Sequence, residues 1–195
     1  MPGDFALGFR VKSGFAVAVV VSGTTAAPVA LMRRIVQLSD PGIKETKQPY
    51  HDGFGTAQED TKEIARLSRI IQRCAKRSVA DLLSDESLAG RRCRGAGLVV
   101  GSVIEPARVG NPHIRAHASE GRLFRMVLES ALSERGVVCS VIVEKTLASE
   151  AARTLDRPGG KIAKVVGLLG AARASPWRAE EKAAATAAWM LLSKS

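Results

Sequence analysis

A row of basic side chains in the first half of the chain has the spacing of one helix face. At 100° per residue, its five members fall within a sector of about 80° around a helix axis. Only Glu63 interrupts the row with an acidic residue, and its helical phase lies outside the sector. A row of one sign favours phosphate contacts, although a plain solvated stripe gives the same pattern. The row consists of Lys62, Arg66, Arg69, Arg73 and Lys76.

Two histidines lie four residues apart near the start of a predicted helix. His113 and His117 can therefore face one side and offer nitrogen ligands or a general base. No glutamate lies between them in the HExxH pattern of zinc peptidases, and a hydrogen-bonded or solvent-facing pair has the same spacing. His51 and Asp52 are further candidates in a distant loop that is rich in proline and glycine.

The cysteines and the apolar segments indicate a cytoplasmic protein. Cys74, Cys93 and Cys139 form no CxxC pair, which predicts reduced thiols. Zinc needs more ligands than Cys93 and the widely spaced histidines obviously supply, so we expect no structural metal. The longest apolar run, residues 15–21, is about a third of the roughly 20 residues that cross a bilayer. The N-terminus lacks the regions of a secretory signal.

The chain carries a strong positive charge. Its 195 residues include 29 Lys plus Arg against 19 Asp plus Glu, a formal net charge of +10. With 46% hydrophobic and 25% charged residues, the composition excludes a wholly disordered or collagen-like chain. The charge favours a polyanionic partner, with nucleic acid first and an anionic membrane surface second. An arginine-rich proteome is the alternative source of the charge, and composition alone names no reaction.

The first segments of the chain, which must position these residues, are predicted to be strands. Segments 5–11, 15–22 and 29–38 are joined by short turns, which is typical of an antiparallel meander. A long loop at 39–56 precedes a helix over 56–83. The apolar face of this helix is predicted to contain Ile64, Leu67, Ile71 and Cys74.

The second half of the chain alternates strands with helices. We expect apolar strands at 96–104 and 137–143 and helices at about 114–135, 146–155 and 161–172. A final helix, rich in alanine, has Ser175 as its N-cap candidate and Pro176 at its first position. Strands that are linked through a helix lie parallel, so the sequence predicts a single α/β domain over 1–195 with a mixed sheet.

This order of elements resembles the ribonuclease H-like superfamily over nearly the whole chain, and within it the Holliday-junction resolvase branch. The individual motifs are weaker signals than the topology. They are Ala6-Leu7-Gly8-Phe9 in the first hairpin, Arg66-Leu67 and Ile70-Ile71 in the first helix, Ser119-Glu120-Gly121-Arg122 through Arg135-Gly136, Gly160-Lys161, and Glu180-Glu181-Lys182-Ala183-Ala184-Ala185 in the terminal helix.

The resemblance implies that clustered carboxylates hold two divalent metals, Mg²⁺ or Mn²⁺. The two metals together promote hydrolysis of a phosphodiester. The position of the first-strand aspartate falls at about Arg10, and the acid of the central strand falls near Gly101. Glu105 lies four residues further along, and only the acids of the terminal helix are in place. The resemblance therefore gives Glu105, Glu180 and Glu181 as the catalytic and metal-binding candidates, with His51, Asp52, His113 and His117 as others.

Three functions follow from these observations. The leading prediction is a nucleic-acid-binding protein that has an altered metal site, with Arg10 and the basic row contacting phosphates. Alternatives are a metal-dependent, structure-selective endonuclease with a non-standard site, and a protein-interaction module. Aromatic residues are 4% of the chain, which gives little material for stacking single strands and favours duplex or branched substrates. Resolvase relatives act as dimers, so the resemblance also implies a homodimer.

Overall fold

A computed structural model describes residues 3–52, 56–171 and 177–193. Three antiparallel strands begin the chain, and two further strands alternate with helices, as the sequence predicts. The strands are β1 (Phe5–Lys12), β2 (Phe15–Gly23), β3 (Pro28–Gln37), β4 (Cys93–Val100) and β5 (Cys139–Val143). The helices are α1 (Thr61–Leu83), α2 (Pro112–Ser133), α3 (Glu144–Leu155), α4 (Gly159–Ala171) and α5 (Ala179–Leu191).

The five strands form one mixed sheet in the order β3-β2-β1-β4-β5. β1, β2 and β3 pair antiparallel, whereas β1–β4 and β4–β5 pair parallel. The last residues of β1, β3, β4 and β5 therefore lie at the same edge of the sheet, which we call the carboxyl edge. In open α/β sheets this edge is where loops assemble ligand sites.

Two helical layers cover the two faces of the sheet. Along β1, Leu7 and Phe9 pack in the apolar core beneath α1 and α2, while Ala6 packs beneath α3, α4 and α5. The predicted buried faces of α1 and α2 largely agree with the structure, since Leu67 and Ile71 of α1 and Phe124 of α2 are buried. The mixed α/β sheet is therefore confirmed.

α5 lies unusually close to the middle of the sheet. A Cβ atom added to Gly8 of β1 would be 1.8 Å from the carbonyl oxygen of Ala184, and one on Gly97 of β4 would be 2.9 Å from the Ala187 Cβ. Small residues on both elements permit this approach, because larger side chains would hold the helix away. The alanine-rich composition of α5 predicts this close packing.

Several predicted boundaries are wrong by a few residues. α1 begins at Thr61 rather than at 56, because the Asp60 carboxylate accepts the N–H groups of the first turn and caps the helix there. β4 ends at Val100, where its pairing with β5 stops, rather than at 104. α5 begins at Ala179 with Arg178 as its N-cap; Ser175 and Pro176 lie outside the described residues.

The predicted loop at 39–56 contains local structure where it is described. A short 3₁₀ turn covers Lys44–Lys47, and His51 forms an isolated antiparallel bridge with Ala57. The Gln58 N–H donates to the Tyr50 carbonyl at 2.9 Å, which helps to close this segment on itself. Across the three described ranges, no helix combines the length and the apolar character needed to cross a membrane.

Candidate functional site

Arg10 occupies the position of the expected first-strand acid and is held in an ion pair at the carboxyl edge. Its Nη2 and Nε atoms donate to the two carboxylate oxygens of Glu144, the first residue of α3, at 2.5 and 3.2 Å. Its Nη1 donates to the Val11 carbonyl at 2.9 Å. The Arg10 side chain is only 8% exposed. These contacts occupy the guanidinium, and the phosphate contact of Arg10 stays a prediction.

Two of the predicted metal-binding carboxylates contact cations on different elements. Glu105, in the loop after β4, pairs with the guanidinium of Arg122 on α2. Glu180 Oε1 lies 3.5 Å from Lys12 Nζ at the end of β1. Gly101, where the resemblance places an acid, offers no side-chain ligand. Each glutamate is therefore neutralised locally instead of sharing a site.

Glu181, the third predicted ligand, is buried and fixes the start of α5. Its Oε1 accepts hydrogen bonds from Arg33 Nε and Nη2 at 2.9 and 2.6 Å, and its Oε2 accepts the Arg178 N–H at 2.9 Å. Burial raises the pKa of the Glu181 carboxyl, but the bonds from Arg33 and the backbone outweigh it and leave the pKa below its usual value. Both oxygens thus serve the fold.

The three histidines converge beside the carboxyl edge, although they are far apart in sequence. One ring nitrogen from each of His51, His113 and His117 lies within 4.8 Å of the other two. The Nε2 atoms of His113 and His117 are 3.2 Å apart. Among the described residues, no other three His, Cys, Asp or Glu side chains bring ligand atoms this close. The sequence spacing of the three histidines gave no obvious zinc site, but the loop after β3 folds back onto α2 and brings them together.

Glu120 of α2 completes this cluster and was missed by the sequence analysis. Its Oε1 lies 2.7 Å from His51 Nδ1, and the side chains of His51 and Glu120 are 5% and 1% exposed. His51 Nε2 and Glu120 Oε2 are buried without a hydrogen-bond partner. Positions 113, 117 and 120 share one helix face, which is the signal that could have indicated Glu120. The candidate Asp52 is exposed and does not belong to the cluster.

A cleft of about 410 Å³ links the cluster to the end of β1. Its lining includes Arg10 and Lys12 of β1, Gly101 after β4, and His117 and Gly121 of α2. Nearby, burial raises the pKa of the Tyr50 phenol above its usual value. The cleft is therefore lined by two ion-paired cations and by the imidazole of His117.

The arrangement of the sheet and its helices matches two solved structures over almost their whole lengths. RuvC of Thermus thermophilus in complex with a Holliday junction substrate aligns with a TM-score of 0.56 and 13% identity, over 96% of this chain and 91% of that chain. A second T. thermophilus RuvC structure aligns with a TM-score of 0.56 and 11% identity, over 95% and 92%. The fold is ribonuclease H-like. No protein-family model matches the chain, and no curated protein sequence does either.

The residues of this ribonuclease H-like chain do not fit the two-metal carboxylate centre that the resemblance implies. A cation, Arg10, stands at the first-strand position, and Glu144 beside it is committed to that cation. The carboxylates of Glu105, Glu180 and Glu181 do not converge. Two hard cations need several oxygen ligands in common, and these three glutamates do not supply them together; the catalytic and metal-binding roles of Glu105, Glu180 and Glu181 stay a prediction.

The predicted basic row lies on the solvent side of α1 in the ribonuclease H-like fold, and all five of its residues are exposed. Two of them are neutralised. Arg66 donates twice to Glu63 at 2.7 Å, and this bond holds the pKa of the Glu63 carboxyl below its usual value. Lys76 Nζ lies 2.8 Å from Glu134 Oε1. Glu63 was predicted to point away from the row, but the long arginine side chain reaches back to it.

The other three cations of the row are Lys62, Arg69 and Arg73. In the part of the chain that the structure describes, no carboxylate lies within ion-pair distance of them. They fall within about 40° of one another around α1 and span about 16 Å along its axis. An unneutralised, exposed row of this kind attracts anions.

Proposed function

We propose that this protein binds duplex or branched nucleic acid through α1 and does not cleave it by two-metal hydrolysis. The observation that carries the proposal is the exposed row Lys62, Arg69 and Arg73, which no described carboxylate neutralises, on a chain with a net charge of +10. Each lysine or arginine that meets a phosphate releases condensed counterions, so such a row supplies salt-dependent affinity.

The dimensions of the row suit a nucleic-acid backbone. Its length of about 16 Å corresponds to four or five steps of 3.4 Å along one strand of a duplex. The ribonuclease H-like fold supports the same class of partner, because RuvC of T. thermophilus carries this fold and was solved with a Holliday junction substrate. Contacts of this kind position a backbone without reading its sequence.

The ion pairs of Arg10 and Glu181 support the proposed absence of two-metal cleavage. Arg10 and Glu144 neutralise each other where a metal ligand is expected, and Glu181 uses both oxygens within the fold. Among the described residues, no three carboxylates bring their oxygens together for Mg²⁺ or Mn²⁺. The scaffold retains a binding surface without the ligands for hydrolysis.

Fluorescence anisotropy tests the binding surface. The probes are a four-way DNA junction, duplex DNA, single-stranded DNA and duplex RNA, titrated between 50 and 200 mM salt. We expect the triple variant Lys62→Glu, Arg69→Glu and Arg73→Glu to bind at least about tenfold more weakly at 100 mM salt and to lower the salt slope by about 2 to 3.

The matched control reverses three exposed lysines in the opposite helical layer. Lys145→Glu, Lys161→Glu and Lys164→Glu change the net charge equally, but on α3 and α4. We expect the control to lose much less affinity than the α1 variant. Equal losses in affinity for both variants would show that only net charge matters. If the unmodified protein shows no salt-sensitive association with nucleic acid, the protein-interaction alternative is favoured.

Incubating the same complexes with Mg²⁺ or Mn²⁺ and resolving them on a gel tests whether the protein cleaves nucleic acid. We expect uncut nucleic acid. Metal-dependent cleavage that Glu180→Gln or Glu181→Gln abolishes, with the fold retained by circular dichroism, would overturn this part of the proposal and support the endonuclease alternative.

We also propose a cytoplasmic homodimer, since resolvase relatives act as dimers and the cysteines are unpaired. Sedimentation equilibrium would test the dimer: a single species of 20.7 kDa at micromolar concentration would contradict it.

A further inference from the structure

We propose that His51, His113 and His117 bind one transition-metal ion of the zinc class, with Glu120 as the residue that positions His51. This site is separate from the carboxylate centre of two-metal nucleases and from the basic row of α1. It does not depend on nucleic-acid binding.

The spacing of the imidazole nitrogens suits a tetrahedral ion. Zinc–nitrogen bonds are about 2.0 to 2.1 Å long, which places two nitrogens of a tetrahedral site about 3.3 Å apart. The Nε2 atoms of His113 and His117 are 3.2 Å apart, and a nitrogen of His51 completes the group within 4.8 Å.

An unpartnered buried nitrogen points to a ligand independently of this spacing. The Glu120 carboxylate lies against His51 Nδ1, so it accepts the proton there and leaves the lone pair on Nε2. That Nε2 atom is buried without any hydrogen-bond partner. An unsatisfied buried polar atom is unfavourable, and a bound cation removes the penalty. A carboxylate behind a metal-binding imidazole is the usual arrangement in zinc proteins.

The chemistry of the donors selects the metal. Three imidazoles suit Zn²⁺, Co²⁺, Ni²⁺ or Cu²⁺, whereas Mg²⁺ and Mn²⁺ prefer oxygen ligands. The chain contains only three histidines, and all three lie in this cluster. Because His113 and His117 are exposed and His117 lines the cleft, water can occupy the fourth position.

Metal titration of the full, untagged chain tests the site. The protein is stripped with EDTA, dialysed and titrated with Zn²⁺ in a calorimeter and with Co²⁺ in a spectrophotometer. We expect one ion per chain, with Zn²⁺ binding tighter than about 1 µM. We also expect a visible Co²⁺ band typical of four or five ligands, and a higher melting temperature that EDTA reverses.

Variants of each residue connect the binding to the cluster. His113→Gln and His117→Gln change exposed side chains, so we expect them to fold and to bind Zn²⁺ at least about tenfold more weakly. Glu120→Gln should weaken binding by about 10- to 100-fold while retaining the Co²⁺ band at saturating metal.

Two control substitutions identify binding elsewhere in the chain. Asp52→Asn removes the carboxylate next to His51, and Cys93→Ser removes a thiol outside the cluster; both should leave Zn²⁺ affinity unchanged. The proposal is overturned if the unmodified chain binds no Zn²⁺ below about 10 µM, or if His113→Gln and His117→Gln bind as tightly as the unmodified chain. Loss of Zn²⁺ affinity in a control but not in the histidine variants would also overturn it.

Discussion

Arg10 of β1 and Glu144 of α3 join two elements that are 134 residues apart through a two-point ion pair. The arginine is almost fully buried, whereas the Glu144 side chain is 50% exposed. Arg10 lies at about the position where the resemblance places a first-strand acid, and its ion pair with Glu144 fastens the start of α3 to the sheet.

Removing the charge of Glu144 should leave the buried guanidinium without its counterion. We expect Glu144→Gln to lower the free energy of unfolding by about 1 to 2 kcal/mol, less than for a fully buried pair because water reaches Glu144. Urea denaturation at pH 7 measures this difference. The control is Glu129→Gln, whose looser pair with Arg125 at 3.7 Å should contribute no more than about 0.5 kcal/mol. Equal effects of both variants would contradict the prediction.

The close contact between Gly8 and α5 predicts that adding one methyl group at position 8 strongly lowers the stability of the fold. Gly8→Ala places a Cβ atom 1.8 Å from the Ala184 carbonyl oxygen, and neither backbone can move without disturbing the sheet. We expect a loss of about 3 kcal/mol or more, or no folded protein. Gly167→Ala is the control, because Gly167 is an exposed residue of α4 with open space around it. This substitution should stabilise the protein by about 0.5 to 1 kcal/mol. A well-folded Gly8→Ala protein of normal stability would refute the packing.

Glu181 makes the stability depend on acid pH. Its pKa in the folded protein lies below the usual value of 4.5, so its contribution is present above about pH 4.5 and is lost as the pH falls through the folded pKa. We expect the unmodified protein to lose stability more steeply than Glu181→Gln between pH 5 and 3, measured by urea midpoints. Comparison with the variant isolates Glu181 from other acids whose pKa is lowered, such as Asp4 and Asp85. Parallel pH profiles would contradict this.

Cys139 should be an unreactive thiol in the folded protein. Burial raises its pKa from 9.0 to about 11, which reduces the thiolate at pH 8 by about a hundredfold. In a Cys74→Ala, Cys93→Ala background, we expect iodoacetamide to modify Cys139 about a hundredfold more slowly than in the same chain unfolded in urea. Mass spectrometry follows the reaction. Rates within threefold of each other would show an accessible, ordinary thiol.

Local signals were sufficient for most of the elements. The short turn predicted between the first two strands is confirmed, and Gly14 in this turn has a φ of 82°, in the left-handed region that glycine favours. The apolar strands and the alanine-rich final helix predicted the sheet and a helix that packs closely. The boundaries were less certain, because caps such as Asp60 compete with the apolar periodicity.

The candidate sites depended on contacts that no local pattern contains. Spacing placed the α1 cations on one face, but it did not show that Arg66 is neutralised by Glu63. His113 and His117 were paired correctly from their spacing, whereas His51 and Glu120 meet across 69 residues.

By itself, the sequence determined the charge, the order of strands and helices, and the basic residue at position 10, because these are properties of residue type and short-range spacing. Only the tertiary structure decided that Arg10 pairs with Glu144 and that the histidines converge at Glu120. Those partners are brought together by parallel strands that end at one edge and by a loop that folds back onto α2. The separation of two residues in sequence does not predict whether they are in contact, because the arrangement of the sheet sets the distance between them.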